Sequence, residues 1–187
     1  GMPALPVSVL EMQPTKVETS VEAVAQTEGA REVEVRARVG GILMKRLYEE
    51  GAAVKAGQPL FQIDRAPLEV AVAQARAQLG ETRARVEQTL REAARLKALL
   101  AQQAISQREY DTASSDNAVA QAAVQAAQAT LRQAELNLSW STVTAPVAGV
   151  TGRAVVSEGT LVAAGGTTLL TTVVQLNPMW VRFSIAQ

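Results

Sequence analysis

The sequence predicts an α+β fold. A long antiparallel coiled-coil helical hairpin is inserted between two halves of a duplicated β-sandwich, with further short strands at both ends. Three observations carry this. Residues 66–139 contain no proline after Pro67 and only one glycine, Gly80, with apolar or small residues spaced alternately by four and three. The flanking segments 33–63 and 141–173 match each other position by position. Both termini alternate weakly between apolar and polar residues, as strands do.

In the hairpin the first seam runs Leu68, Val72, Ala75, Leu79, Thr82, Val86, Thr89, Ala93, Leu96, Leu100. The second runs Tyr110, Ala113, Asn117, Ala120, Val124, Ala127, Leu131, Ala134, Leu138. A mean period of about 3.5 is that of a coiled coil, and about five heptads make each helix roughly 50–55 Å long. The pattern breaks at Gln102–Ile105, where a helix start follows. Ser106 and Glu109 have capping-box spacing, and Ile105 and Tyr110 have that of a hydrophobic staple. A break this short predicts antiparallel neighbours over 66–102 and 106–139, with the tip near 101–106. Asp64 is expected to cap the first helix, with Pro67 in its first turn. Glu81–Arg85 and Glu87–Arg91 have the Glu-first i, i+4 spacing of surface pairs. Ala122, Ala123, Ala126, Ala127 and Ala129 give the second helix a slim surface, which suits either its partner helix or a neighbouring protomer.

The flanking segments are β-rich and form an internal repeat. At one constant separation Val35 matches Val143, Ala37 matches Ala145, Val39 matches Val147 and Gly41 matches Gly149. Glu50, Gly51, Val54 and Gly57 then match Glu158, Gly159, Val162 and Gly165, and the register slips by one near Leu60 and Leu169. The six glycines 41, 51, 57, 149, 159 and 165 predict structural turns. Each half has about four very short strands and buries no apolar face alone, so two copies stacked face to face are expected. Segments 7–9 and 17–23 predict two short N-terminal strands, and 17–27 is expected beside 180–186. Gly1-Met2 reads as an added scar, and the strand-like end as a domain cut short.

Composition narrows function. Lysine plus arginine balance aspartate plus glutamate at 18 each, for zero net charge, which gives no bulk attraction to nucleic acid. Without cysteine or histidine the chain has no thiolate chemistry and lacks the commonest general base and metal ligand. The four methionines are scattered, with no soft-metal pairing. No apolar run reaches membrane-spanning length.

Val39-Gly40-Gly41-Ile42, Glu49 through Leu60 and Ile63-Asp64 resemble the first half of a split biotinyl/lipoyl-type domain. Ala145-Pro146-Val147-Ala148-Gly149-Val150, Glu158-Gly159, Val162 and Gly165 resemble its second half. Split around a hairpin, they resemble the periplasmic adaptors, or membrane fusion proteins, of RND-type tripartite efflux pumps. Leu136-Asn137-Leu138, Thr142-Val143-Thr144-Ala145-Pro146 and Asn177-Pro178-Met179-Trp180-Val181 are similar to recurring family phrases. The resemblance implies a lipoyl-like sandwich in two halves, 33–64 and 140–175, around a hairpin at 65–139. Partial β-barrel or membrane-proximal strands would fill 1–32, and the start of a barrel 176–187. It implies a periplasmic, non-enzymatic adaptor held to the inner membrane by an N-terminal segment. Its partners would be an inner-membrane RND transporter, a TolC-type outer-membrane channel and copies of itself in a hexameric ring, with no nucleic acid. Adaptors of ATP-driven or type I secretion exporters, a biotin or lipoyl carrier, and a plain coiled-coil scaffold are the alternatives.

A carrier presents a lysine in its acylated turn. Here the turn resembles Asp64-Arg65-Ala66, and the arginine guanidinium forms no such amide, so no cofactor is expected. At the tip, Arg95, Leu99 and Ser106 are similar in type and spacing to the Arg-Leu-Ser set by which RND adaptors engage the channel. Each has a plainer reading: Arg95 as a solvated charge, Leu99 as seam, Ser106 as a helix cap. Leu99 falls off the counted seam, and all three are expected to be exposed within the last turns of the hairpin.

Overall fold

The structure, a computed structural model, describes Lys16 and residues 25–183, apart from the side chain of Ala30. The strands expected over 7–9 and 17–23, and residues 184–187, lie outside the described residues. Ten elements follow: β1 Ala25–Arg36, β2 Gly41–Arg46, β3 Ala53–Val54, β4 Pro59–Ile63, α1 Ala66–Ala101, α2 Gln107–Ser139, β5 Thr142–Thr144, β6 Gly149–Thr151, β7 Leu161–Val162 and β8 Leu169–Phe183.

The strands make two four-stranded sheets, ordered β1-β8-β6-β3 and β5-β4-β2-β7. This corrects the expectation of one repeat stacked on the other. Each repeat gives two strands to each sheet, so the halves interleave. Exchanging β1 with β5, β2 with β6, β3 with β7 and β4 with β8 carries one sheet onto the other. The register obeys the same exchange: Gly41 pairs Val162 while Gly149 pairs Val54, and Ile42 pairs Leu161 while Val150 pairs Ala53.

The matched turn residues are explained by bonds across the repeats. Gly51 N–H donates to Thr151 O at 3.0 Å, and Gly159 N–H to Leu43 O at 2.7 Å. Glu50 Oε1 accepts from Ala154 N at 2.9 Å, and Glu158 Oε1 from Arg46 N at 2.7 Å. Gly51 and Gly159 take φ of +79° and +85°, a region that disfavours any Cβ. Gly57 and Gly165 share that conformation. At Gly149 the need is space, because a Cβ would meet Val174 O at 2.3 Å; at Gly41 it would meet Ile63 Cγ2 at 2.7 Å.

Between the sheets, Leu43, Leu60, Phe61, Ile63, Val162, Leu170 and Val173 are fully buried, each worth about 1.5–3 kcal/mol of apolar transfer. Tyr48 meets Phe61 edge-on, with ring centroids 5.3 Å apart. β1 and β8 run on past the sandwich as a two-stranded ribbon, pairing Ala25 with Phe183. The side-by-side placement of the flanking strands therefore holds for the described part, 25–27 against 181–183. Registry shifts between Gly29 and Arg31, so sandwich and ribbon meet at a bulge inside two continuous strands. Met179, Trp180, Val181 and Phe183 on this partial barrel are exposed.

Candidate functional site

The hairpin starts where β4 ends and returns where β5 begins. Ile63 N–H donates to Ser141 O at 2.7 Å, so its two feet are bonded neighbours. Asp64 Oδ1 accepts from Ala66 N–H at 3.0 Å, one residue ahead of the formal N-cap, Arg65. Gln62 ties the feet together, donating to Ser141 O at 3.2 Å and accepting from Thr142 Oγ1 at 3.1 Å. Trp140 packs on the sandwich core, with the Arg38 guanidinium 5.7 Å from its ring centroid. This cation–π contact joins residues whose sequence positions gave no hint of it.

From that root the helices run antiparallel, packed along the counted seam. Every seam residue from Leu68 to Leu100 and from Tyr110 to Leu138 is buried or half-buried. Arg76 reaches Glu135 across the helices at 3.8 Å, and Glu87 meets Arg91 at 4.0 Å. The expected Glu81–Arg85 pair does not form: Glu81 accepts from Gln78 at 3.1 Å and Arg85 donates to Gln88 at 3.0 Å. Those polar neighbours offer closer geometry on an exposed face, where an ion pair gains little.

The tip is closed by two caps. At the end of α1, Ala104 N–H donates to Leu99 O at 3.0 Å and Gln103 N–H to Leu100 O at 2.9 Å. This is a Schellman motif, with Gln103 left-handed at φ +59°. No glycine or asparagine marks it in the sequence, so only the break itself signalled an end. At the start of α2, Ser106 Oγ accepts from Glu109 N at 3.3 Å, while Glu109 Oε2 accepts from Ser106 N at 2.8 Å. The capping box is complete. Hydrogen bonds from the Ser106 backbone and side chain hold the Glu109 carboxyl below its usual range.

Arg95, Leu99 and Ser106 all fall within the last turns, but they differ in exposure. Arg95 projects into solvent, its guanidinium 2.6 Å from Glu92, and Ser106 is exposed while serving its cap. Leu99 is half-buried, which corrects the expectation of a free apolar side chain. Its carbonyl anchors the Schellman motif, a position whose side chain is usually packed against the residue that closes it, here Ala104. The tip thus presents a guanidinium, a hydroxyl and a rigid turn. Among the described residues no group of acidic side chains is placed to hold a metal, and no helix is long and apolar enough to cross a membrane.

Residues 31–174 match the family described as RND MFP, barrel-sandwich hybrid domain. The chain is 46% identical over 180 residues to the membrane fusion protein MtrC of Neisseria gonorrhoeae, covering 96% of this chain and 44% of that protein. It is 43% identical over 179 residues to the efflux pump periplasmic linker BepD of Brucella suis biovar 1, covering 95% of this chain and 45% of that one. Among solved structures it is similar to a MacA-MexA chimera that contains the Pseudomonas aeruginosa MexA α-hairpin domain. That match has a TM-score of 0.61 at 32% identity and covers 88% of this chain and 56% of the chimera. The chain therefore spans less than half the length of these curated relatives.

Proposed function

The chain belongs to the RND membrane fusion protein family, and from that premise we propose that it is the hairpin-and-sandwich portion of a periplasmic adaptor. The whole protein would link an inner-membrane RND drug/proton antiporter to a TolC-type outer-membrane channel for efflux of small molecules. Self-association into a ring, hexameric by family resemblance, would surround the conduit, and an N-terminal segment would hold it to the inner membrane. The divisions 1–32, 33–64, 65–139, 140–175 and 176–187 would be its functional parts. The reading rests above all on one observation: a rigid, two-capped tip at the far end of a hairpin roughly 50 Å long, whose other end is bonded into a sandwich. Such a shape suits the transmission of position over a distance.

The docking role of the tip falls on Arg95, Leu99 and Ser106. Arg95 is the cleanest probe, because it is exposed and outside the seam. Arg95→Asp should leave the melting temperature nearly unchanged, as surface substitutions do within about 0.5 kcal/mol. At a small end-on interface the same change places a carboxylate where a cation docked, and interface energy concentrates in few residues. The test is rescue of drug resistance in an adaptor-deleted strain that retains transporter and channel, using the full-length protein, with capture of both partners. Lost rescue with an unchanged melt supports docking through the tip. Full rescue by Arg95→Asp, and by Ser106→Arg as well, removes the tip from the mechanism. Capture of an ATP-driven exporter instead of an RND transporter would replace the assigned pump.

A further inference from the structure

β1 and β5 are edge strands, one in each sheet, and a pocket of about 350 Å³ opens between them beside the hairpin root. Its floor is Val35 and Val143, matched positions of the repeat that are both buried. Trp140 and Pro146 add apolar wall. The remaining wall differs between the repeats. Glu34, Arg36 and Arg38 stand on one side, where the matched positions on the other are Thr142, Thr144 and Pro146. The exchange of repeats therefore accounts for the floor and leaves the charges unexplained.

Those charges are not equally available. Arg36 Nε meets Glu34 at 2.8 Å, and Arg36 Nη1 donates to Gly166 O at 3.3 Å and Thr167 O at 3.2 Å. That pair is neutral and ties β1 to a turn. Arg38 is exposed and makes no hydrogen bond or ion pair among the described residues. Its guanidinium lies over the Trp140 ring, 5.7 Å from the centroid. Stacking holds the planar fork in place and leaves its N–H edge open to a ligand. Two arginines against one glutamate leave the pocket with a single positive charge, and it resides on Arg38. Thr144 adds an exposed hydroxyl.

We propose that this pocket binds a small amphiphilic monoanion, with its carboxylate on Arg38 and Thr144 and its apolar body against Trp140, Val35 and Val143. A planar carboxylate matches the guanidinium fork. A dianion such as phosphate is disfavoured, because one free cation serves it and the Glu34 carboxylate shares the wall. The volume lies at the small end of the roughly 300–1,000 Å³ typical of ligand pockets, which suits a single ring or a short chain. Trp140 is also the C-cap of α2, so a bound ligand touches a residue that joins the hairpin to the sandwich. The inference goes beyond the adaptor reading, needs no partner protein and stands whatever the tip docks on.

Tryptophan fluorescence of this chain tests it. The chain has two tryptophans, so Trp180→Phe leaves Trp140 as the reporter. Titration with para-tert-butylbenzoate should change the Trp140 emission saturably. The neutral para-tert-butylbenzamide should bind about tenfold more weakly or worse, as loss of a charge-assisted bond costs, and para-tert-butylbenzylammonium should not bind. Arg38→Gln should weaken the benzoate about tenfold and leave the benzamide unchanged, and Arg38→Lys should recover part of the loss. Arg83→Gln, on the hairpin grooves, should change nothing. Absence of a saturable response to the benzoate would overturn the proposal. So would equal binding of benzoate and benzamide, which marks an apolar cleft without an anion site, or a loss on Arg83→Gln that Arg38→Gln does not produce. If Arg38→Gln does not fold, by circular dichroism, the three probes on the Trp180→Phe chain still decide.

Discussion

Gln103 holds the left-handed conformation that the tip turn requires, at φ +59°, and any residue with a Cβ is strained there by about 1–2 kcal/mol. Gln103→Gly should relieve most of that and raise the thermal midpoint of the hairpin, read by circular dichroism. No change would mean that the turn relaxes elsewhere. Six residues on, at Glu109, the tip becomes acid-sensitive. The Glu109 carboxylate accepts from the Ser106 backbone and hydroxyl, which lowers its pKa in the folded chain. A depressed folded pKa gives stability that is present above the unfolded pKa and lost as pH falls through the folded value. The cap should therefore weaken below the ordinary glutamate range and be intact at neutral pH. Glu109→Gln should flatten that acid limb in a pH series of melts, and an unchanged limb would assign the acid sensitivity to other groups.

The seam is the element most legible in the sequence, because its period is a property of spacing alone. Leu79, facing Ala127, is buried, and Leu79→Ala should cost about 2–4 kcal/mol. Val119→Ala on the exposed side of α2 should cost little, since Val119 is 70% exposed. Equal losses in chemical denaturation would show that the seam had been placed on the wrong face. Leu99 was less legible. A residue off the 3.5-residue repeat is expected to be free, but the last turn is governed by the geometry of its cap, and Gln103 announces no cap. Glu50 and Glu158 show a different limit. Their equivalence could be counted in the sequence, but that each caps an amide of the opposite repeat follows only from the way the halves interleave. Glu50 also meets the Arg46 guanidinium, so Glu50→Ala should cost at least as much as Glu158→Ala, each about 1 kcal/mol for an exposed charge-assisted bond. A Glu158→Ala melt indistinguishable from the unmodified chain would show that its cap on the Arg46 amide adds no stability.

At the scale of the molecule, a repeat establishes which positions are equivalent and leaves open whether the copies stack or share sheets. Shared sheets have a consequence that stacking lacks. β4 and β5, which the hairpin separates in sequence by more than seventy residues, are adjacent antiparallel strands, with Phe61 opposite Val143. Neither half completes a sheet alone, so the sandwich forms only once that pairing has closed the long insertion. Closure entropy grows with the logarithm of loop length, about 0.6 kcal/mol per doubling, so the hairpin is a tolerable insertion and removing it should help folding slightly. Asp64 and Trp140 flank the pairing, and Trp140 is packed on the core, so both are kept and joined through a two-residue Asn-Gly turn, the connection that antiparallel neighbours favour. The shortened chain should fold, with the Tyr48–Phe61 packing intact and strand amides protected in exchange. It should lose every function that needs reach. A shortened chain that stays unfolded, while the full chain folds, would show that the hairpin root, with Gln62, Thr142 and the Arg38–Trp140 contact, is part of the folding core and no mere graft upon it.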